Sequence, residues 1–226
     1  MSRASRFAFA FVAALLGCAL GSTRARADDA NEAPFGRRAA NVVVLDNLAG
    51  FVHESQTFPS EGADYFTGNY FGLMGLPPIA RLGYHRVING WITVGLGVHY
   101  ADLSSSPGQA NGTPIRTWGF SPRVGVIFPL SPMLAVWLRA GFTYLNVNIP
   151  GGVDVNDPSQ TSPDENQWLL TLGGEAQLVV TPTSHLGFTV GPTVEVGVAG
   201  NDSVGDQNEQ IRSSIYGVTI GLLADF

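Results

Sequence analysis

The sequence has no lysine, one cysteine and few charged residues, which together make up 13% of the chain. All 12 basic side chains are therefore arginines, and they are scattered rather than grouped. Nucleic-acid-binding proteins carry a basic stripe or patch. The net charge here is −6, so nucleic acid is excluded as an expected partner. The single cysteine, Cys18, lies in the leading apolar segment, so the rest of the chain has no disulfide framework to stabilise it.

The first residues have the organisation of a secretory signal peptide. Arg3 and Arg6 form a positive beginning, and residues 7–20 form an apolar segment that is too short to span a membrane as a helix. Residues 25–27, Ala-Arg-Ala, then fit a small-residue cleavage site. We predict a signal peptide over residues 1–27. Its removal leaves eight arginines against 18 acidic residues, a net charge of −10.

One alternative for this segment stays open. Residues 15–18, Leu-Leu-Gly-Cys, resemble a lipobox, which would place a lipid on Cys18. After the signal peptide, residues 28–40 form a polar tail without a motif, expected in the periplasm, and residues 41–226 form the folded domain.

Beyond the signal peptide, apolar residues alternate with glycine and polar residues at a period of two. No apolar run approaches the ~20 residues that a membrane-spanning helix needs. The last strand shows the alternation most clearly, because Tyr216, Val218 and Ile220 share one face, with glycine and threonine between them. Eight strands are predicted, at about residues 41–53, 80–85, 92–100, 118–128, 134–144, 167–180, 186–198 and 216–226.

The connections between these strands alternate in length. Asn89-Gly90 is a two-residue hairpin signal, and residues 130–132 and 181–185 are also short. This alternation of short turns and long loops is typical of outer-membrane barrels, and an even strand count places both chain ends on the periplasmic side. Long polar loops are predicted at residues 54–78, 102–116, 147–165 and 200–212.

The polarity of the two faces distinguishes a membrane barrel from a soluble one. An eight-stranded barrel has an interior only wide enough for side chains, which suits glycine, threonine and a few charges. The bulky apolar face must then point outward, where in water it would far exceed the apolar patch that soluble monomers tolerate. In lipid the same face is favourable, and barrel closure removes unpaired strand edges. We predict an all-β fold, an eight-stranded antiparallel up-and-down transmembrane β-barrel.

Aromatic residues mark both ends of the predicted apolar band. Trp118 and Phe128 are ten residues apart, as are Tyr216 and Phe226. At ~3.3 Å per residue and a tilt of ~40°, ten residues rise roughly 25 Å, the height of the apolar band of an outer-membrane barrel. The predicted girdles are Tyr100, Trp118, Tyr144, Trp168 and Tyr216 at the long-loop end, and Phe128, Phe188 and Phe226 at the short-turn end.

The chain resembles the small outer-membrane barrels of the OmpA-transmembrane-domain and OmpX type. The resemblance covers about residues 41–226 and rests on the signal peptide, the eight alternating strands and the ending Tyr216-x-Val218-x-Ile220-x-Leu222-x-Ala224-x-Phe226. That ending is similar to the C-terminal signal that the barrel-assembly machinery recognises. The resemblance implies an architecture and a membrane location, whereas function must come from a site.

Charged residues on the predicted inward faces form the main candidate site. Arg123 and Arg139 each lie eight residues from Ser131, so we expect them to be cross-strand neighbours at similar depth. Like charges there repel, and Glu175 is expected beside Arg139 on the next strand. The predicted lumen network, which fills the barrel as a plug, is Asp46, Arg81, Arg123, Arg139, Glu175 and Glu195.

Other polar groups offer weaker sites. Some barrels of the type that this chain resembles modify lipid A with histidine and serine near the outer leaflet, and His53 with Ser55, or His99 with Ser104, could imitate that placement. Clustered carboxylates could bind Ca²⁺ or bridge through divalent ions to lipopolysaccharide phosphates. Their spacing is not that of an EF-hand, and we expect them to lie in solvated polar loops. No metal site or cofactor is predicted. The acidic loop residues are Asp154, Asp157, Asp164, Glu165, Asp202, Asp206 and Glu209.

Three functions remain open at this stage. The first is a non-enzymatic structural or surface-interaction barrel with long extracellular loops and a plugged lumen. The second is a narrow channel for protons or small solutes, and the third is a lipid A-modifying enzyme. The expected partners are outer-membrane lipids and lipopolysaccharide, the barrel-assembly machinery through the Phe226 strand, and an unidentified partner of the loops. The chain is expected to be a monomer.

Overall fold

The computed structural model describes residues 33–37, 40–58, 63–73, 80–103, 115–151, 163–183, 185–205 and 207–226. The signal peptide, Cys18 and most of the predicted tail lie outside these residues. The described chain is built of strands, and it contains no helix long and apolar enough to cross a membrane. The strands are β1 (Asn41–Phe58), β2 (Ala63–Leu73), β3 (Arg81–Ile88), β4 (Ile92–Leu103), β5 (Ile115–Pro129), β6 (Leu134–Ile149), β7 (Glu165–Val180), β8 (Leu186–Val204), β9 (Gln207–Gln210) and β10 (Arg212–Asp225).

The strands close into a ring. Each strand pairs antiparallel with its neighbour in the order β1, β3, β4, β5, β6, β7, β8 and β10, and β10 pairs back with β1. The closing seam ends on two backbone hydrogen bonds of 3.0 Å between Asn41 and Phe226. Strands β2 and β3 pair with successive parts of the same edge of β1, so they share one position in the ring. The predicted eight-stranded antiparallel up-and-down barrel is therefore confirmed.

The predicted loop over residues 54–78 is wrong for most of its length. Strand β1 continues to Phe58, and β2 returns along it from Ala63 to Leu73 as a long hairpin. The pairing of β1 shifts between Leu45 and Ala49, and Asn47 within this bulge has a φ of 58°. A bulge breaks the alternation of faces, which explains why the sequence pattern is weakest here. Similarly, β8 and β9 extend into the predicted loop at 200–212.

The short turns and both described chain ends lie together at one end of the barrel, called here the short-turn end. Its turn between β3 and β4 has positive φ at both central residues, 54° at Asn89 and 77° at Gly90. These values match the type I′ hairpin that the Asn-Gly pair predicts. The hairpins β1–β2, β4–β5, β6–β7 and β8–β9 extend the barrel wall at the opposite, long-loop end.

Side chains alternate between the two faces of the wall except at the bulges. On β5, Val124 is 58% exposed, whereas its neighbour Arg123 is 2% exposed. The same contrast holds around the ring. Large apolar side chains cover the outer face, and the lumen, the space enclosed by the wall, holds charged and hydroxyl side chains together with a smaller number of buried apolar ones. The barrel therefore has the inverted polarity that the sequence predicts.

Candidate functional site

The structure places all six predicted lumen charges in one cluster, although they come from six different strands. Two of the contacts follow directly from strand register, because Asp46 lies opposite Arg81, and Arg139 lies opposite Glu175. Arg123 is offset from Arg139 by two residues, since Arg123 lies opposite Gly141. The prediction that these two arginines lie at equal depth is therefore wrong, and they are diagonal neighbours on adjacent strands. The reason is that the turn between β5 and β6 is centred on residue 132, one residue beyond Ser131.

Two carboxylates hold the lower part of the cluster together. Asp46 accepts hydrogen bonds from Arg81, at 2.8 and 3.1 Å, and from Arg139, at 2.8 and 2.9 Å. Glu175 lies between three guanidinium groups, with oxygen–nitrogen distances of 2.6 Å to Arg81, 2.5 Å to Arg139 and 3.5 Å to Arg123. Each acid thus joins strands that are not neighbours in the wall.

A third carboxylate, that of Glu195, extends the network toward the long-loop end. Arg123 donates to Glu195 at 2.7 Å and to the Thr143 hydroxyl at 2.9 Å. Thr143 and Thr171 both donate to Glu195, at 3.0 and 2.6 Å. The threonines were not among the predicted site residues, although their alternation with Arg139 and Glu175 on β6 and β7 places them on the inward face.

Hydroxyl groups continue this chain across the lumen. Ser121 donates to Thr143 at 3.0 Å, and its oxygen lies 2.7 Å from Nε2 of His99. His99 therefore points into the lumen and is buried. The proposed pairing of His99 with Ser104 is not described, because Ser104 lies outside the described residues.

The cluster is balanced in charge, with three arginines and three carboxylates. Removal of charge from water carries a large desolvation cost, which is offset only where each group has close partners. Here five of the six side chains are at most 4% exposed and that of Glu195 is 13% exposed. Loss of any one member leaves its partners as uncompensated buried charge, so the network behaves as a unit.

Below the charges, an apolar cluster closes the short-turn end of the lumen. Trp137 lies under Arg139, whose guanidinium carbon is 4.5 Å from the ring centroid, and its Nε1 donates to Thr93 at 3.0 Å. Phe35, from the segment before the first strand, packs edge-on against Trp137 with a centroid distance of 5.8 Å and is fully buried. The cluster comprises Phe35, Val42, Val44, Val87, Ile127, Ala135, Trp137, Val179 and Leu223.

Phe35 reaches this position through a tight turn. The Arg37 amide donates to the Pro34 carbonyl at 3.0 Å, and Gly36 has a φ of 89°. A side chain at Gly36 would meet Ile127 and the Gly90 carbonyl at about 3.0 Å. Only glycine fits a left-handed conformation this close to the wall. The polar tail predicted at residues 28–40 therefore contains an apolar anchor that composition alone did not indicate.

At the other end, a smaller apolar group lies above the hydroxyl chain. Leu169 and Ile211 are 6% and 0% exposed, and Leu145 packs against them. The lumen is thus layered, from the apolar cluster at the short-turn end, through paired charges and hydroxyls, to a second apolar group. Layers of inward side chains of this kind are the usual filling of an eight-stranded barrel.

The predicted girdle residues lie on the outer face. At the long-loop end, Trp118 lies opposite Tyr100 in the β4–β5 pairing, and its ring is 5.5 Å from that of Tyr144, which stacks on Trp168 at 6.5 Å. Tyr216 packs against His53 at 4.6 Å. At the short-turn end, the predicted Phe128, Phe188 and Phe226 are exposed, and so is Trp91 of the β3–β4 turn, which was not predicted.

His53 and Ser55 lie on the outer face, two residues apart on β1, and both are partly exposed. Their strand partners on β10 are Tyr216 and Ser214, so the pair lies at the level of the long-loop girdle. Glu54, between them, points inward and accepts a hydrogen bond from Ser213 at 3.3 Å. This placement is the one that a site acting on lipid would need.

The acidic loop residues do not gather into one site in the described chain. Asp202 points inward and accepts from Gln167 at 3.2 Å, and Gln167 also donates to Glu165 at 3.0 Å. Partial burial and the Asp202 carboxylate raise the pKa of Glu165 above its ordinary value. Among the described residues no group of histidines and acids could hold a metal ion, and Asp154, Asp157 and Asp206 lie outside them.

No protein-family model matches the chain, and no curated protein matches it. Among solved structures it is similar to Neisserial surface protein A, with 13% identity and a TM-score of 0.46 over 83% of this chain and 98% of that chain. It is also similar to the outer membrane protein OprG from Pseudomonas aeruginosa, with 11% identity and a TM-score of 0.46 over 82% of this chain and 96% of that chain. A third similar structure is the outer membrane protease OmpT from Escherichia coli, with 10% identity and a TM-score of 0.44 over 88% of this chain and 100% of that chain. The closed strand order of this chain is that of a small eight-stranded up-and-down β-barrel, the fold that the sequence resemblance implies.

Proposed function

We propose that this protein is a non-enzymatic barrel of the bacterial outer membrane, with a plugged lumen and a long-loop end that faces the outside and binds a partner there. The observation that carries the proposal is the inverted polarity of the wall. Val124, Leu172 and Val196 are 58%, 56% and 52% exposed, while charges are buried inside. Water would make so large an apolar surface unfavourable, and the hydrocarbon of a membrane makes it favourable.

The aromatic girdles support the same location. Outer-membrane barrels carry aromatic girdles at the two membrane–water interfaces, and here Trp and Tyr form a row at the long-loop end of the apolar outer face and Phe at the short-turn end. The orientation follows from the predicted signal peptide and from the two chain ends, which meet at the short-turn, periplasmic end. In this proposal the terminal strand with Phe226 is the segment that the barrel-assembly machinery recognises, and the barrel is a monomer whose lipid partners include lipopolysaccharide.

The layered lumen supports a structural role rather than conduction. The paired charges satisfy one another across the barrel, and Phe35 fills the space beneath them. A lumen packed in this way stabilises the wall as a core does, and leaves the hairpins of the long-loop end as the part that meets other molecules.

Heat modifiability tests the proposal. Full-length protein expressed in a Gram-negative host should fractionate with the outer membrane and run faster on a gel before boiling than after it. In planar bilayers the purified barrel should show no stable conductance. Recovery as soluble periplasmic material would overturn the membrane location, and steady conductance steps would overturn the plugged lumen in favour of the channel.

One placement favours a second candidate, a lipid-modifying enzyme. His53 and Ser55 lie outward at the girdle, where the headgroup region of the outer leaflet would be. Expression of the wild type should then change the mass of lipid A, and Ser55→Ala should abolish the change. Identical lipid A masses with and without the protein would remove this candidate.

A further inference from the structure

A groove opens on the outer face of the barrel, beside Trp168 in the long-loop girdle. It has a volume of about 310 Å³, within the range of small-ligand sites. Its walls come from β7, β8 and the last two strands, and none of its lining residues belongs to the charged cluster described above. The lining residues used below are Trp168, Val198, Asn201, Gln210, Ile211 and Arg212.

The groove exists because strand pairing is interrupted on both sides of β8. The β7–β8 ladder shifts beyond Leu170, so that Val198 has no partner in it. On the other edge, the β8–β10 ladder ends at Val196, and the β8–β9 ladder begins at Asn201. Bulges bend a strand and redirect its side chains. Between these two ladders Ile211, which is buried and whose amide donates to the Gly200 carbonyl at 3.1 Å, lines the bottom of the groove.

Polar groups surround the upper part of the groove. Arg212 and Gln210 are exposed, and within the described part of the chain neither is held by an ion pair or side-chain hydrogen bond. The Asn201 amide nitrogen donates to Ser203 and Asn208, at 3.0 and 3.2 Å, which directs its oxygen away from them. An unpaired guanidinium in a chain with excess negative charge is suited to a phosphate, which it can bind through two parallel hydrogen bonds.

Apolar groups continue from the lower part of the groove toward the middle of the wall. Trp168 separates the polar and apolar parts, and an indole prefers such a boundary because one edge is polar. Below it, Val198, Val196 and Leu172 are 49%, 52% and 56% exposed, and the last two lie opposite each other on neighbouring strands. The surface therefore has a cationic and amide end, an aromatic boundary and an apolar track.

We propose that this groove binds the phosphorylated headgroup of an outer-leaflet lipid, with one acyl chain along Val198, Val196 and Leu172. Arg212 pairs with the phosphate, while Gln210 and Asn201 bind neighbouring hydroxyl or carbonyl groups. The inference rests on the proposed membrane location, because that location puts the groove at headgroup level. A soluble anion would gain nothing from the apolar track, so a lipid is the occupant that the whole surface fits.

Native mass spectrometry of the detergent-folded barrel tests the site with two lipids that differ only in phosphate. Dipalmitoyl phosphatidic acid should be retained, and dipalmitoylglycerol should be retained at least about tenfold more weakly, as expected for the loss of a charge-assisted contact. Arg212→Gln should weaken phosphatidic acid binding by a similar factor, and Arg212→Lys should restore most of it. Arg116→Gln, at an exposed arginine of β5, is the matched control and should leave binding unchanged.

Two results would overturn the site. One is equal retention of the two lipids by the wild type, and the other is equal retention of phosphatidic acid by the wild type and Arg212→Gln. The gel shift on heating, measured on the same samples, separates this inference from the proposed function. A wild type that shifts but does not distinguish the lipids contradicts the groove alone, whereas a wild type without a shift contradicts the membrane barrel.

Discussion

Arg139 donates two parallel hydrogen bonds to Asp46, from Nη1 to Oδ2 at 2.9 Å and from Nη2 to Oδ1 at 2.8 Å, although 93 residues separate them. This bidentate pair joins β1 to β6 across the lumen rather than along the wall. Strand pairing alone fixes each residue only relative to its neighbours in the ring. The Asp46–Arg139 contact therefore ties together opposite sides of the barrel through its interior.

Replacement of Asp46 by asparagine should strongly destabilise the barrel. The amide keeps the size of the side chain but leaves Arg81 and Arg139 with uncompensated buried charge, which typically costs about 3–5 kcal/mol. The measurement is the free energy of unfolding in denaturant for the barrel in detergent or lipid. Glu209→Gln, at an exposed acid, is the control and should change it little. A wild-type unfolding midpoint for Asp46→Asn would contradict the structural role of the network.

Glu175→Gln separates a structural plug from an ion path. Glu175 contacts three arginines, so loss of its charge should lower the free energy of unfolding by an amount similar to Asp46→Asn, without creating conductance. Denaturant unfolding and planar-bilayer recording on the same preparation give the two readouts. Unchanged stability together with new conductance would favour the path over the plug.

Phe35→Ala should loosen the short-turn end of the lumen. Truncation of a buried phenylalanine typically costs about 3–5 kcal/mol through lost burial and the cavity that remains. We expect lower stability and faster hydrogen exchange at the Trp137 indole. Arg37→Ala, at an exposed residue of the same turn, is the control. Wild-type exchange at Trp137 in Phe35→Ala would show that the anchor does not contribute to the lumen core.

Much of the barrel could be predicted because its wall repeats a period of two. The alternation along β10 and the Asn89-Gly90 turn determine which face points outward and where the chain reverses, and counting from the turns places Glu175 beside Arg139. Alternation and turn residues are local features of the sequence, and β5 to β8 show the alternation over most of their length. The six lumen charges follow from the same alternation, since each is the polar member of an otherwise apolar pattern.

The remaining features depend on contacts that no period encodes. Phe35 precedes the first strand and belongs to no repeat, so its insertion beneath Trp137 depends on space left by distant strands. The bulge at Asn47 changes which residues of β1 point inward and outward, so a single alternation does not run through β1, and the β1–β2 hairpin could not be predicted from alternation. The groove beside Trp168 likewise arises from a shift in pairing on β8, which the sequence does not show.

A charge placed on the outer face should be costly at mid-height and tolerated near the girdle. Val124 lies between Trp118 and Phe128 on β5, and Val124→Arg should destabilise the barrel in lipid by about 2–4 kcal/mol. Asn166→Arg, at an exposed position beyond Trp168, should cost about 0–1 kcal/mol. The measurement is reversible unfolding from lipid vesicles. Equal costs at the two positions would mean that β5 does not cross a membrane at this depth.

The hairpin end near Glu165 should become more stable as pH falls. Its pKa is raised in the folded state by partial burial and by Asp202, so the folded form binds the proton more tightly than the unfolded form. Protonation therefore favours folding as pH decreases from neutral through the raised pKa toward the ordinary value near 4.5. Hydrogen exchange at Gln167 and Val204, corrected for intrinsic pH dependence, should slow over this window. Glu165→Gln should remove the trend, and an unchanged trend in that variant would contradict the assignment.

The inverted polarity of the wall is tested most directly by nitroxide scanning of β5 in lipid vesicles. Single cysteines would be placed in turn at positions 119–128, in a variant without Cys18, and labelled. Collision with dissolved oxygen and with a water-soluble nickel complex would then be compared by electron paramagnetic resonance. We predict high oxygen and low nickel accessibility at 120, 124, 126 and 128, and low accessibility to both at 121, 123, 125 and 127. High nickel accessibility at the even positions would place the apolar face in water and contradict the account.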